Sequence, residues 1–169
     1  LAGEISAVGR NVKDFQAGMR VVAANSAPCG NCFYCQRHQE NLCENLIFIN
    51  GAYAEYIRIP GQVVRQNLLT IPDHVSYRSA AMIEPLACVL HGLEETGVQR
   101  HDSVVVIGTG PIGLMFIRMA KLRGAHVIAV GRRSNRLETA RVMGADVVID
   151  AAEVSDVVAA VRAETDQGR

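Results

Sequence analysis

The chain has 169 residues, of which 49% are hydrophobic, and its 17 basic and 17 acidic residues give a formal net charge of zero. This length suits one ordinary domain or two small ones, with enough apolar content for a buried core. The balanced charge argues against a nucleic-acid or membrane partner, and no apolar run approaches the roughly 20 residues that cross a bilayer. Because the chain opens at Leu1 without a start methionine, we expect an internal piece of a longer protein.

The first 75 residues predict short strands separated by turns. The opening segment 1–9 has the character of a strand, and so do 20–24 (RVVAA) and 52–59 (AYAEYIRI), the last with alternating residue types. The pattern is helical from about 76 to 96. We expect this helix to be interrupted near Pro85, because proline cannot continue a helix undisturbed.

Four cysteines lie within fifteen residues, with the spacing C-x2-C-x2-C-x7-C: Cys29, Cys32, Cys35 and Cys43. Cysteines three residues apart in a tight loop rarely reach the geometry of two adjacent disulfides. Four thiolates about 2.3 Å from one ion are instead the ligand set of a structural zinc site, which leaves no position open for a substrate. We therefore predict a structural-zinc lobe at 28–45. The fifth cysteine, Cys88, reads as a small buried residue.

A non-enzymatic zinc-binding module is an alternative from another class. A nucleic-acid-binding module would need a basic surface around the metal. Here Arg37 and His38 are offset by Glu40 and Glu44, so this alternative ranks below an enzyme.

The second half of the sequence alternates strands and helices. Apolar strands are predicted at 103–108, 126–130 and 146–150, and helices at 111–124, 134–144 and over the valines Val154, Val157, Val158 and Val161. The order β-α-β-α-β-α is half of a doubly wound parallel sheet.

A glycine fingerprint, GTGPIG, joins the first of these strands to its helix. Gly108 permits the tight turn, Gly110 lets the backbone approach a pyrophosphate, and Gly113 allows close packing of helix on strand. With Pro111 and Ile112 between them, these residues predict a dinucleotide site at the helix N-terminus.

The end of the second strand predicts which dinucleotide binds. An NAD site usually has an acid there, yet this chain has Gly131, followed by Arg132, Arg133 and Arg136. Arginine suits the geometry of a phosphate, so the pattern favours NADP over NAD. A solvated surface turn is the alternative interpretation of the arginines.

Four features follow one another along the chain: the cysteine spacing, GAYAEYIRIP, IEPLACVLHGL and the glycine fingerprint. Their order resembles the zinc-dependent alcohol dehydrogenases of the medium-chain dehydrogenase/reductase superfamily. The resemblance is strongest to the polyol, sugar and threonine dehydrogenase branch. The resemblance implies an α/β chain in two parts. A partial GroES-like β-rich domain, carrying the structural-zinc lobe, would occupy 1–87. The first half of a Rossmann domain would occupy 88–169.

The resemblance also implies site residues. Glu84 matches a glutamate that lies beside the family's catalytic zinc and binds it directly or through water, although a helix cap or a surface acid remains open as its role. The other ligands of that zinc, a cysteine and a Gly-His-Glu histidine, would precede Leu1, and none of the five histidines here stands in those motifs. The 169-residue chain alone should therefore be inactive.

For the complete protein, the resemblance implies a cytoplasmic homo-oligomer that oxidises a small alcohol or polyol with NADP, or with NAD. An NAD-linked threonine or sorbitol dehydrogenase is the alternative enzyme.

Overall fold

The computed structural model describes residues 1–165, and the chain divides into two compact units, Leu1–Glu84 and Pro85–Arg169. The strands are Ala2–Glu4 (β1), Arg20–Ala23 (β2), Ser26–Ala27 (β3), Ile47–Phe48 (β4), Leu68–Thr70 (β5), Ser103–Ile107 (β6), His126–Gly131 (β7) and Val147–Asp150 (β8). The α-helices are Gly61–Gln66 (α1), Tyr77–Ala80 (α2), Ile83–Glu95 (α3), Pro111–Leu122 (α4), Ser134–Met143 (α5) and Val157–Ala163 (α6). Two short 3-10 helices span Cys35–Arg37 and Glu40–Leu42.

The first unit is built on short antiparallel strands, as its sequence predicts. Strands β1, β2 and β5 form one sheet with β2 in the centre, and β3 pairs with β4 in a second. The central strand is buried because its apolar residues pack under α1, and the resulting core comprises Val21, Ala23, Ala27, Val63 and Leu68. This small core supports the cysteine-bearing loop that leaves β3.

Arg20, at the start of β2, fixes the loop that leads into α2. Its guanidinium donates hydrogen bonds to the carbonyl oxygens of Pro72 (3.1 Å), Asp73 (3.2 Å) and Val75 (2.5 Å). The same group lies 4.7 Å from the centre of the Tyr77 ring, a cation–π distance. One side chain thus joins the sheet to the helical end of the unit.

The predicted strand at 52–59 was wrong. This segment has no regular secondary structure, and Tyr53 and Tyr56 project into solvent. Alternating residue types favour a strand only when a neighbouring backbone supplies hydrogen bonds. No strand within residues 1–165 pairs with 52–59, which explains why the pattern does not produce the structure here.

The predicted interruption of the helical region is confirmed. Helix α2 ends at Ala80, and α3 begins at Ile83, so Pro85 stands in the first turn of the new helix. The first N–H groups of a helix lack intrahelical acceptors, and proline is therefore tolerated there. Cys88, three residues further on, is exposed. Our prediction of a buried Cys88 was wrong, because only one stripe of α3, including Val89 and Leu93, is buried.

The second unit contains the predicted parallel sheet. Strand β7 lies between β6 and β8, and both pairings are parallel. Alternate residues of β7 serve two cores because successive side chains point to opposite faces. Val127 and Ala129 pack with α4 and α5, whereas Ile128 and Val130 pack with α6. The mixed α/β fold class is confirmed.

The last predicted helix is shorter than the valine pattern indicates. Val157 and Val161 pack on the sheet from α6, while Val154 does so from the preceding loop. Val158 also lies in α6, but its side chain is 60% exposed. Among the helices of residues 1–165, none has the length and apolar character needed to cross a membrane.

Candidate functional site

The four clustered cysteines converge on one point in the first unit. Their sulfur atoms all lie within 4.8 Å of one another. The Sγ–Sγ distances are 3.5 Å for Cys32–Cys35, 3.9 Å for Cys29–Cys35 and 3.9 Å for Cys32–Cys43. Ligands 2.3 Å from a tetrahedral zinc lie about 3.8 Å apart, so these thiols fit the edges of that tetrahedron.

Local backbone turns place the sulfurs and direct N–H groups toward them. The backbone N–H groups of Cys29 and Asn45 donate to Cys43 Sγ at 3.2 Å and 3.3 Å. Hydrogen bonds from the N–H groups of Cys35 and then Glu44 lower the pKa of the Cys32 thiol to about 6. Backbone donors aimed at sulfur favour the thiolate, which is the form that binds a metal.

The other two thiols differ from each other in acidity. A hydrogen bond from the Asn31 N–H lowers the pKa of Cys29, whereas burial raises the pKa of Cys35 to about 12. A cation at the centre of the cluster would favour all four thiolates together.

Helix α1 supports this lobe, a contact that the sequence patterns did not predict. Gln62 Nε2 donates to the carbonyl oxygens of Ala27 (2.9 Å) and Asn45 (3.2 Å), and Gln66 Nε2 donates to that of Pro28 (3.1 Å). The two glutamines are four residues apart, so they project from one face of the helix. They fix both ends of the cysteine loop to the first unit.

The glycine fingerprint forms a strand–turn–helix in the second unit. Gly108 has φ 105°, a conformation that favours glycine, and its N–H donates to the Val130 carbonyl at 2.7 Å. Gly110 caps α4, and Pro111 occupies its first turn. A Cβ on Gly113 would overlap the carbonyl oxygen of Gly108. The turn therefore brings the N-terminus of α4 close to the end of β6, where a phosphate could bind.

The arginine loop lies at the end of the neighbouring strand β7. Arg132, Arg133 and Arg136 are exposed, and none of them forms an ion pair with another residue of the 1–165 region. Arg133 has φ 72°, which is uncommon for a residue other than glycine and is a form of strain that often marks a functional loop. Three unpaired guanidinium groups could bind an anion here.

Glu84 lies in the first turn of α3 and is half-buried. Among the described residues, no set of three or more metal-ligand side chains gathers around it. Within residues 1–165, the four cysteines are the one group of at least three His, Cys, Asp or Glu residues whose ligand atoms could hold a metal ion together.

Comparison with known families agrees with both halves of this description. Residues 1–73 match the alcohol dehydrogenase GroES-like domain, and residues 111–169 match the zinc-binding dehydrogenase domain. The chain belongs to the zinc-dependent alcohol dehydrogenase family of the medium-chain dehydrogenase/reductase superfamily. The predicted family and its GroES-like and Rossmann-type fold are confirmed.

Curated relatives include polyol dehydrogenases. The chain is 37% identical over 157 residues to the D-arabitol-phosphate dehydrogenase of Enterococcus avium, an alignment that covers 88% of this chain and 44% of that protein. It is 38% identical over 159 residues to the sorbitol dehydrogenase of Bacillus subtilis strain 168, covering 90% and 44%. The chain thus spans less than half the length of these relatives.

Solved structures resemble the chain over nearly all its length. The alcohol dehydrogenase TADH of Thermus sp. ATN1 matches with a TM-score of 0.87 and 37% identity, covering 98% of this chain and 50% of that one. A zinc-binding dehydrogenase of Sinorhizobium meliloti 1021 with bound NADP gives 0.83 and 33%, covering 91% and 45%. The rspB alcohol dehydrogenase of Escherichia coli CFT073, complexed with NADH, gives 0.83 and 31%, covering 96% and 48%.

Proposed function

We propose that the complete protein is a zinc-dependent dehydrogenase that transfers a hydride between a small alcohol or polyol and NADP. The observation that carries this proposal is the glycine turn at the start of α4, followed at the end of β7 by Gly131 and unpaired arginines. The polyol dehydrogenases among its relatives support the class of substrate.

We assign a structural zinc ion to Cys29, Cys32, Cys35 and Cys43. The sulfur–sulfur distances and the backbone donors to sulfur support this assignment. Because four protein ligands complete a tetrahedral shell, this metal would hold the lobe together and take no part in the reaction.

The dinucleotide would bind along the ends of β6 and β7. Ile112 and Gly113 would direct backbone N–H groups to the pyrophosphate, because helix α4 leaves its first N–H groups without intrahelical acceptors. Arg132, Arg133 and Arg136 would bind the 2′-phosphate of NADP, which an acid at position 131 would repel.

The reaction itself would take place beside Glu84. Glu84 alone does not make a metal site; if the complete protein holds a zinc ion beside it, that ion would supply Lewis acidity toward the alcohol oxygen. In the oxidation, the carbinol carbon would transfer a hydride to the nicotinamide and become a carbonyl carbon. The hydroxyl proton would pass to solvent. Glu84 would act as a ligand or as an acceptor from a bound water, while the other ligands would come from outside this chain. The chain by itself would then be inactive.

An NAD-linked sorbitol or threonine dehydrogenase is the second candidate. Relatives with these names support it, and so does the exposure of the arginines, which fits a solvated turn. In either case we propose a homo-oligomer in the cytoplasm, where the reducing environment keeps thiolate ligands intact. The proposed partner is a small molecule, with no nucleic acid or membrane involved.

Steady-state kinetics of the complete protein with a panel of polyols and both cofactors test this proposal. One charge-assisted bond to the 2′-phosphate predicts that kcat/KM with NADP exceeds that with NAD by roughly 10- to 100-fold. Arg132→Ala should lower kcat/KM with NADP and leave that with NAD unchanged. A preference for NAD would instead support the second candidate, and no oxidation with either cofactor would contradict both.

A further inference from the structure

Thr109 and Gly131 are neighbours in space, although 22 positions separate them in the sequence. Thr109 is the second residue of the glycine fingerprint and is only 4% exposed. A Cβ on Gly131 would overlap Thr109 Oγ1 and would lie 2.8 Å from Thr109 Cγ2 and 3.1 Å from Leu137 Cδ2. The side chain of Thr109 therefore fills the space that any side chain at position 131 would need.

The obstacle is one of space and not of backbone conformation. Gly131 is not among the glycines with positive φ, so its backbone accepts any residue. Leu137, which closes the other side, is 5% exposed and packed in α5. Because Thr109 is only 4% exposed, rotation of its side chain into solvent would require its neighbours to move as well.

We propose that Thr109 is a specificity-determining residue, which keeps position 131 free of a side chain and so excludes the acid that would bind the ribose hydroxyls of NAD. This inference rests on the proposed dinucleotide-linked function. Its consequence is that cofactor choice depends on two positions together, on β7 and on the turn after β6. Exchanging Gly131 for an acid alone would create a clash and would not create an NAD site.

A double-mutant cycle on the thermal stability of the complete protein tests the steric pairing without any cofactor. The variants are Gly131→Ala, Thr109→Ala and the two combined, with Gly3→Ala as the matched control because a Cβ there meets nothing within 4 Å. Gly131→Ala should lower Tm by about 3–10 °C. The same change should cost at most about a third as much in the Thr109→Ala background, since the two nearest atoms are then gone and only Leu137 Cδ2 remains close.

Isothermal titration calorimetry of the complete protein with NAD and with NADP tests the effect on cofactor specificity. Gly131→Asp alone should weaken the binding of both cofactors by at least about tenfold, because the clash displaces the turn. Adding Thr109→Ala should restore NAD binding by about tenfold or more and leave NADP binding weak.

The two arms separate this inference from the proposed function. If Gly131→Ala has the same Tm as the unsubstituted protein, the steric pairing is wrong whatever the cofactor. It is also wrong if Gly131→Ala lowers Tm equally in the presence and absence of Thr109→Ala. If Gly131→Asp alone creates strong NAD binding, the role in specificity is wrong. If the unsubstituted protein binds NAD better than NADP while the cycle shows coupling, the proposed cofactor fails and the exclusion of a side chain at 131 stands.

Discussion

The cysteine lobe and the parallel sheet of the second unit differ in what holds them together. In the lobe (28–45), regular structure is limited to two 3-10 turns, and Phe33 and Leu42 are more than half exposed. In the second unit, β7 is buried for five of its six residues between helices on both faces. The lobe therefore lacks the apolar burial that stabilises the sheet, and the zinc ion that we propose for its four sulfurs would supply stability in place of apolar contacts.

The largest effect should come from breaking the sulfur cluster. Cys35→Ser removes one of the two buried thiols of the lobe, and zinc binding in comparable small sites contributes about 10–16 kcal/mol to folding. Zinc content should fall below one ion per chain, and hydrogen exchange at 28–45 should reach the rate of an unfolded segment. The amides of β6 and β7 should exchange as before.

Cys88→Ser is the matched control for that experiment, because Cys88 lies outside the cluster and is exposed. It should keep the full zinc content. Retention of zinc and of slow exchange in Cys35→Ser would show that the lobe is not built on the metal.

Truncation of the apolar core should have the next largest effect, confined to the other region. Ile117 is fully buried in α4, and Ile117→Ala should reduce the free energy of unfolding by about 2–5 kcal/mol. Leu42→Ala, in the lobe, should cost well under about 1 kcal/mol, since that side chain is 52% exposed. Denaturant titration compares the two variants, and equal costs would erase the distinction between core and lobe.

Overcrowding the glycine turn should be somewhat less costly. Gly113→Ala places a Cβ against the Gly108 carbonyl, and overpacking of this kind costs about 1–3 kcal/mol. Gly110→Ala is the control, because a Cβ there meets nothing within 4 Å. Differential scanning calorimetry should show a lower Tm for Gly113→Ala with zinc content unchanged. Equal Tm values for the two variants would mean that α4 can shift away from β6.

The smallest effect concerns a carboxylate beside β7. Partial burial raises the pKa of Asp146, but the Lys121 ammonium and the Val127 N–H outweigh burial, and the net pKa is lowered. A carboxyl whose pKa is lower in the folded state stabilises the protein above its unfolded pKa of about 4, and this contribution is lost as the pH falls through the folded value.

Asp146→Asn should therefore cost about 1 kcal/mol at pH 7 and almost nothing near pH 2, while zinc content at pH 7 stays constant. Urea titrations at several pH values measure the difference. If the loss of unfolding free energy in Asp146→Asn does not change with pH, Asp146 contributes through packing and not through its charge.

Sequence reasoning succeeded where the relevant residues lie near one another along the chain. The parallel strands and their helices were predicted because their apolar patterns are local and glycine or proline marks most of their boundaries. The convergence of the cysteines could be expected from their spacing for the same reason. Fingerprint glycines are likewise separated by only one or two residues.

What sequence reasoning missed depends on contacts between distant segments. The 52–59 segment has the pattern of a strand, but pairing requires a second backbone. Thr109 has no motif that links it to Gly131, since parallel packing of β6 and β7 creates their contact. Gln62 and Gln66 support the lobe by hydrogen bonds to backbone carbonyls. Because every residue type has a backbone carbonyl, the sequence does not reveal such acceptors.

Arg20 holds its loop through backbone acceptors alone. All three of its hydrogen bonds go to main-chain carbonyls, at Pro72, Asp73 and Val75. Every residue type carries such an oxygen, so the loop keeps these acceptors through any substitution that preserves its path. In a saturation-mutagenesis library, Asp73 should accept many replacements whereas position 20 accepts very few. Tolerance to mutation thus depends on whether a residue contributes its side chain or its backbone to the contact. It should be low at Arg20 and high at the loop residues that accept its hydrogen bonds.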